Sequence, residues 1–242
     1  MNLPPGQYAV PGFPRFGTHL HKPPPLVPAN ARIEIAGAVG EAAAVPLNDL
    51  TDLPRRELTA DLHCVAGWSA TGLRWEGVPF EAFYRAKIAP SLLPGKRISH
   101  VGFTGLDGYH WTSRVEDVLD ESVLIADRLG GRPLDSDHGA PARLVSPHQY
   151  GYVNVKHLCR IEVFTEAPAD GYGTRWRLVD VSLRSLLINP HPRARVWKEE
   201  RHRFLPGLLL RPIYRLLVPP IRFLSARGAE GRDQAEAGHR SR

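Results

Sequence analysis

The chain has 242 residues, 43% hydrophobic and 23% charged, the proportions of a globular protein with room for a substantial core. Its formal charge of +6 is unevenly placed: residues 191–242 carry twelve Lys or Arg against five Asp or Glu, so the body before them is close to neutral. This balance excludes a basic nucleic-acid footprint over the body. Two cysteines exclude a disulfide framework, and no uncharged apolar run of about 20 residues offers a transmembrane helix.

Residues 1–30 are rich in proline and read as an extended arm. The arm shows no basic start followed by an apolar run, so a cytoplasmic, reduced setting is expected. ARIEIAG (31–37) is the first expected strand, and PLNDLTDLP (46–54) has the polar entry and proline exit of a short helix. In ELTADLHCV, Leu58, Ala60, Leu62 and Cys64 share one face, and Thr59, Asp61 and His63 share the other. Cys64 is therefore expected at a strand end, just before a glycine turn.

PFEAFYRAKI (79–88) predicts a helix with proline in its first turn, and SHVGFTGLDGYHWTSR (99–114) a hairpin turning at Asp107-Gly108. VLIA (123–126) reads as a buried strand and Gly130-Gly131 as a turn. NVKHLCRIEVFTE (154–166) alternates, with Cys159, Ile161 and Val163 on one face. Short mixed strands with few helices predict an α+β fold over roughly residues 1–170. WKEERHRFLPGLLLRPIYRLLVPPIRFLSARG (197–228) interleaves apolar clusters with Arg203, Arg211, Arg215 and Arg222. It reads either as a basic segment lying on an anionic membrane surface or as helices packed on the domain. Pro206, Pro212, Pro219 and Pro220 are expected to break any long helix, and residues 229–242 to be disordered.

Cys159, among aliphatic neighbours, reads as a structural thiol. Cys64 admits several chemistries. As a core thiol it needs nothing further. As a nucleophile it needs a base, yet His63 faces the other way along the strand. As a zinc ligand it needs clustered partners, and the histidines are scattered without ligand spacing. As a ligand to a metal delivered by an organic cofactor, one soft thiolate is enough.

Three segments in order, GFPRFGTHLHKPP, DLHCVAGWSATGLRWEGV and GGRPLDSDHGAPARLVSPHQYGYVNVKHLCRIEV, resemble the molybdopterin-binding catalytic domain of the sulfite oxidase family over about residues 10–166. The resemblance implies a mixed-sheet α+β catalytic domain over 31–170, with the arm 1–30 contributing to the cofactor site. A basic helical or irregular extension over 171–228 and the tail 229–242 follow it. It also implies molybdenum chelated by the pyranopterin dithiolene of molybdopterin, with Cys64 the only protein ligand to the metal. Arg143 and Lys156 match positions that hold the cofactor's anionic tail. Asn154 and Val155 match backbone contacts in the same loop, and His138 and Thr104 match pterin contacts. Arg15 aligns with an arginine near the metal.

Asp127 stands where sulfite oxidases have a tyrosine close to the metal. A carboxylate there repels an anionic substrate unless protonated or paired, and could pass a proton. The implied activity is oxygen-atom transfer to or from a small sulfite- or sulfoxide-like molecule, as in bacterial single-domain relatives. Electrons are expected to pass to an external partner, because no haem or iron–sulfur ligand pattern is present. A non-catalytic molybdopterin-binding or carrier module of the same fold is the alternative.

Overall fold

The computed structural model describes residues 2–15, 23–168, 189–216, 218–220 and 223. In chain order its strands are β1 (Tyr8–Ala9), β2 (Arg32–Gly37), β3 (Ala43–Pro46), β4 (Arg56–His63), β5 (Trp68–Pro79), β6 (His100–Gly105), β7 (His110–Arg114), β8 (Leu124–Leu129), β9 (Arg132–Pro133), β10 (Arg143–Val145) and β11 (Leu158–Phe164). Its α-helical turns are α1 (Phe80–Phe83), α2 (Val115–Val118) and α3 (207–216).

The strands form two sheets. In the first, the long β5 is the spine. It pairs with β4 antiparallel, with β1 parallel and with β8 antiparallel, and β8 carries β9 and β10. The second runs β3-β2-β11-β6-β7, with only β2 and β11 parallel. The larger core lies between the sheets. There Ile33, Ile35, Val101, Phe103, Ile161 and Val163 of the second sheet meet Val78, Ile125 and Leu144 of the first.

A smaller apolar cluster covers the other face of the first sheet: Leu62, Cys64, Trp68, Ala70, Trp75, Leu124, Ala126 and Val145. The two-residue period of a strand explains the split. Leu124 and Ala126 turn outward while Ile125 between them turns into the main core. Two faces buried on one sheet require apolar residues at almost every position of β8 and β10, as LIA and LV provide.

The expected α+β class is what forms, and most local expectations have counterparts. PLNDLTDLP is a 3-10 helix at Leu47–Asp52, and the 79–88 helix is one α turn followed by a wider π turn at Tyr84–Ile88. Asp107 Oδ1 accepts the Tyr109 N–H at 3.0 Å across the hairpin turn. Cys159 departs from the mid-strand placement. It sits at a register shift between Leu158 and Arg160, half-buried, with its Sγ donating to the Thr104 carbonyl at 3.4 Å.

The expected proline break at residue 212 is also absent. The helix α3 runs through Pro212, because the carbonyl this residue cannot serve belongs to Leu208 on the solvent side. Of the extension and tail, residues 169–188, 217, 221, 222 and 224–242, Arg222 among them, lie outside the described residues. The described part packs on the body. Arg193 forms a two-pronged ion pair with Asp117, and Arg195 pairs with Glu200 at 2.5 Å. No helix among the described residues is long and apolar enough to cross a membrane.

Candidate active site

Cys64 follows β4 directly and opens the turn into β5. Its N–H donates to the Trp68 carbonyl (2.8 Å), and its own carbonyl accepts from Gly67 N–H (3.0 Å) and Gln7 Nε2 (3.1 Å). With the backbone so fixed, the side chain points into the outer cluster, where it is 7% exposed. Burial pushes the thiol up to about 12, opposed by a hydrogen bond from the Ala66 backbone and by the positive charge of Arg201. His63 turns the other way, as alternation requires, and meets Ser69 Oγ at 2.8 Å. Both thiols are free, and no cluster of three or more His, Cys, Asp or Glu side chains stands ready for a metal ion among the described residues. Neither a disulfide, nor a His63-activated nucleophile, nor a zinc cluster is therefore built around Cys64.

On the same face of the first sheet lies Arg143, fully buried, with Lys156 and Arg15, partly buried, beside it. Arg143 on β10 neighbours Val145, so its side chain shares the outer face with Cys64. It is 1% exposed, donates to the carbonyls of His138 (2.8 Å) and Asn154 (3.3 Å), and lies 5.2 Å from the Trp75 ring and 5.8 Å from the Phe13 ring. Burial lowers its pKa to about 9. Lys156 donates to the Asp137 carbonyl at 2.7 Å. Burial first, then the charges of Arg143 and Arg15, bring its pKa down to about 7. Arg15 Nε is 3.7 Å from the Asp137 carboxylate. Neither Arg143 nor Lys156 has an ion-pair partner among the described residues.

The backbone around this group is shaped to bring it together. Gly139, at φ +110°, lets the chain pass so close that a Cβ there would sit 3.2 Å from the Cβ atoms of both Arg143 and Lys156. Asp135 holds the His138 ring through Nδ1 (2.7 Å), which sets Nε2 2.8 Å from the Phe13 carbonyl and ties the N-terminal arm to the site. Asn154 spends its side chain inside its own loop: Oδ1 accepts from Ser146 N–H at 2.6 Å, and Nδ2 donates to the Tyr150 carbonyl at 3.2 Å. The Val155 carbonyl accepts from Leu144 N–H at 2.9 Å. The same loop reaches Cys64, since Gly151 N–H donates to the His63 carbonyl at 2.7 Å.

Of the residues expected from the sequence, Cys64 and Arg143 thus share the outer face of the first sheet, with Arg15, His138, Asn154 and Lys156 linked to Arg143 through its loops, while the Val155 side chain packs in the main core. Two others have side-chain partners of their own. Thr104 lies on the second sheet, and its hydroxyl meets His110 Nδ1 at 3.0 Å. Asp127 is the residue of β8 left unpaired at its register shift with β5, and its carboxylate is held by Arg55 at 2.6 and 3.0 Å. The pairing removes the repulsion a bare carboxylate would exert. Phe13, Trp75, Gln7, Asp137 and Arg201 belong to the neighbourhood without having been expected. Arg201 comes from the extension, and its partners are distant in sequence: the carbonyls of Val65, Pro5 and Gly6 and the ring face of Tyr150. A cleft of about 370 Å³ lined by Asp117, His148, Arg193 and Trp197 among others contains none of the expected site residues.

Comparison with known proteins identifies the family. The family described as oxidoreductase molybdopterin binding domain matches residues 19–172. The protein-methionine-sulfoxide reductase catalytic subunit MsrP of Xanthomonas campestris pv. campestris is 27% identical over 195 residues, covering 72% of this chain and 57% of that protein. The uncharacterized oxidoreductase YuiH of Bacillus subtilis is 30% identical over 143 residues, 59% of this chain and 69% of its own length. The mitochondrial sulfite oxidase of Mus musculus is 30% identical over 192 residues, 67% of this chain and 35% of the enzyme. The chain spans just over half the length of several curated relatives it matches, MsrP among them. With the family match covering more than half of its residues, the chain belongs to the oxidoreductase molybdopterin binding domain family, whose cofactor is molybdenum held by molybdopterin.

Proposed function

We propose that the chain is an oxidoreductase that transfers an oxygen atom to or from a small sulfite- or sulfoxide-like substrate, with Cys64 as the protein ligand to molybdenum. The observation that carries this reading is the pair Arg143 and Lys156. Arg143 is fully buried, Lys156 lies close to it across Gly139, both donate to carbonyl oxygens without an ion-pair partner among the described residues, and the charge of Arg143 lowers the affinity of Lys156 for a proton. Folding two cations together in this way is costly unless an anion arrives to neutralise them. A phosphate-terminated cofactor fits that requirement, and the thiol of Cys64 lies on the same sheet face. The kind of substrate follows the names of MsrP and sulfite oxidase.

Bound molybdopterin supplies a molybdenum centre able to exchange an oxygen atom and two electrons with substrate. The chain's own residues do the rest. Arg143 and Lys156 hold the anionic tail, and Asn154 and Val155 keep their loop in the shape that presents both cations. The His138 ring, oriented by Asp135, joins the N-terminal arm to the cradle through the Phe13 carbonyl, with the Phe13 ring beside Arg143. Cys64 keeps its proton until a metal replaces it, as burial dictates. Asp127, neutralised by Arg55, adds no repulsion toward an anionic substrate. Electrons leave to an external partner, since the chain carries no haem or iron–sulfur pattern.

The test is molybdenum analysis and pterin fluorescence on protein matured in a host that makes the cofactor. About one molybdenum per chain is expected, with turnover of sulfite or a sulfoxide against a redox dye. Cys64→Ser should lose the metal, and Arg143→Gln with Lys156→Gln should lose pterin and metal together. Cofactor retained without turnover of any donor or acceptor would instead mark a carrier module, and protein matured without pterin would end the proposal.

A further inference from the structure

Helix α3 is apolar on two opposite faces, and only one is covered. Gly207, Leu210 and Tyr214 are buried, and Val218 beyond them joins the cluster around Cys64. On the other side Leu208 is 65% exposed, Leu209 62% and Leu216 77%, with Ile213 and Pro212 exposed between them. At 100° per residue these five positions fall within an arc of about 140°, centred opposite the buried face. Phe204, 70% exposed, stands just before the helix under the guanidinium of Arg203 (5.5 Å to the ring centroid).

We propose that this outer face of α3 docks the chain on an anionic phospholipid surface. Charge selects the occupant. From residue 201 to residue 229 the chain has six arginines and no Asp or Glu. Arg201 is buried and Arg211 is bound to Glu199 at 2.6 Å, but Arg203 and Arg215 are exposed beside the leucine stripe. A second copy of the chain would bring the same arginines against one another across a twofold axis. A sheet of lipid phosphates accepts them all, while the acyl boundary takes up the leucines and Phe204. No helix among the described residues is long and apolar enough to cross a bilayer, so an amphipathic segment of this kind lies in the interface. Because its inner face covers the Cys64 cluster, docking turns the outer face of the first sheet toward the bilayer.

The full chain, matured with cofactor, is to be sedimented with phosphatidylcholine vesicles and with mixed phosphatidylcholine–phosphatidylglycerol vesicles. Binding is expected to the anionic vesicles only, reversed by high salt. Leu208→Asp with Leu216→Asp should abolish it. Arg203→Gln with Arg215→Gln should weaken it by roughly 25-fold, about fivefold for each arginine. All four substitutions lie on exposed side chains, and an unchanged melting temperature checks that the fold is intact. Should the aspartates unfold the chain, the glutamine pair still decides the matter. Absence of binding to anionic vesicles, or binding indifferent to the glutamine pair, overturns the proposal. So does a dimer in sedimentation equilibrium that the aspartate pair dissolves while vesicle binding persists.

Discussion

Lys156 is a side chain whose protonation departs far from its ordinary behaviour, in a pH range open to experiment. Its pKa falls from 10.5 to about 7, chiefly through burial and then through Arg143 and Arg15. Between about pH 7 and pH 9 the unfolded cofactor-free chain therefore binds a proton at this position that the folded chain does not. Stability must rise with pH across that window, by at most about 1.4 kcal/mol per pH unit. Arg143, lowered to about 9, and Cys64, raised to about 12, act only above it. Urea denaturation of the cofactor-free chain at pH 7, 8 and 9 should show the slope, and Lys156→Met should flatten it. Loading with cofactor should flatten it too, because a bound phosphate restores the ammonium. A pH-independent midpoint would mean that Lys156 reaches water. At this scale the sequence was partly legible. Arg143 and Lys156 stood out through resemblance, whereas the pairing of Asp127 with Arg55 joins residues 72 positions apart and is not written in either neighbourhood.

Among the elements, β5 carries the greatest burden, since β1, β4 and β8 all pair with it. Gly77 marks the point where β8 comes closest. A Cβ there would overlap the Ile125 carbonyl oxygen, and the register shifts between Glu76 and Gly77. Gly77→Ala should cost about 3 kcal/mol, the upper end of an overpacking penalty, read as a lowered urea midpoint. A midpoint within error of the parent would show that β8 can move aside. What approaches Gly77 is set by the pairing of β5 with β8, two segments about fifty residues apart. In α3 the reverse holds: prolines suggested interruption, and the helix continues because the one lost hydrogen bond faces water.

Across the whole molecule, Arg201 joins three segments that are remote in sequence. It is fully buried and binds carbonyls of the N-terminal arm and of the turn after Cys64, while Glu199 beside it pairs with Arg211 of α3. Arg201→Met should release the arm. Amide exchange at Tyr8 and Val10, which donate to Gly67 and Ser69, should speed up, and stability should fall by about 3 kcal/mol. Unaltered exchange at those two amides would show that the arm is held by β1 pairing alone.

What the sequence determined by itself was local: the strand ending at Cys64, the hairpin at Asp107-Gly108, the alternation that separates Cys64 from His63, and the order of motifs that marks the family. Those features depend on neighbours within a few positions, where period and turn chemistry act. The tertiary structure alone decided that Arg143 and Cys64 share a sheet face, that Asp127 pairs with Arg55 and Thr104 with His110, and that Arg201 ties the arm to the turn after Cys64. Each of these rests on pairing between segments tens of residues apart, which the one-dimensional pattern of apolar and polar residues does not encode.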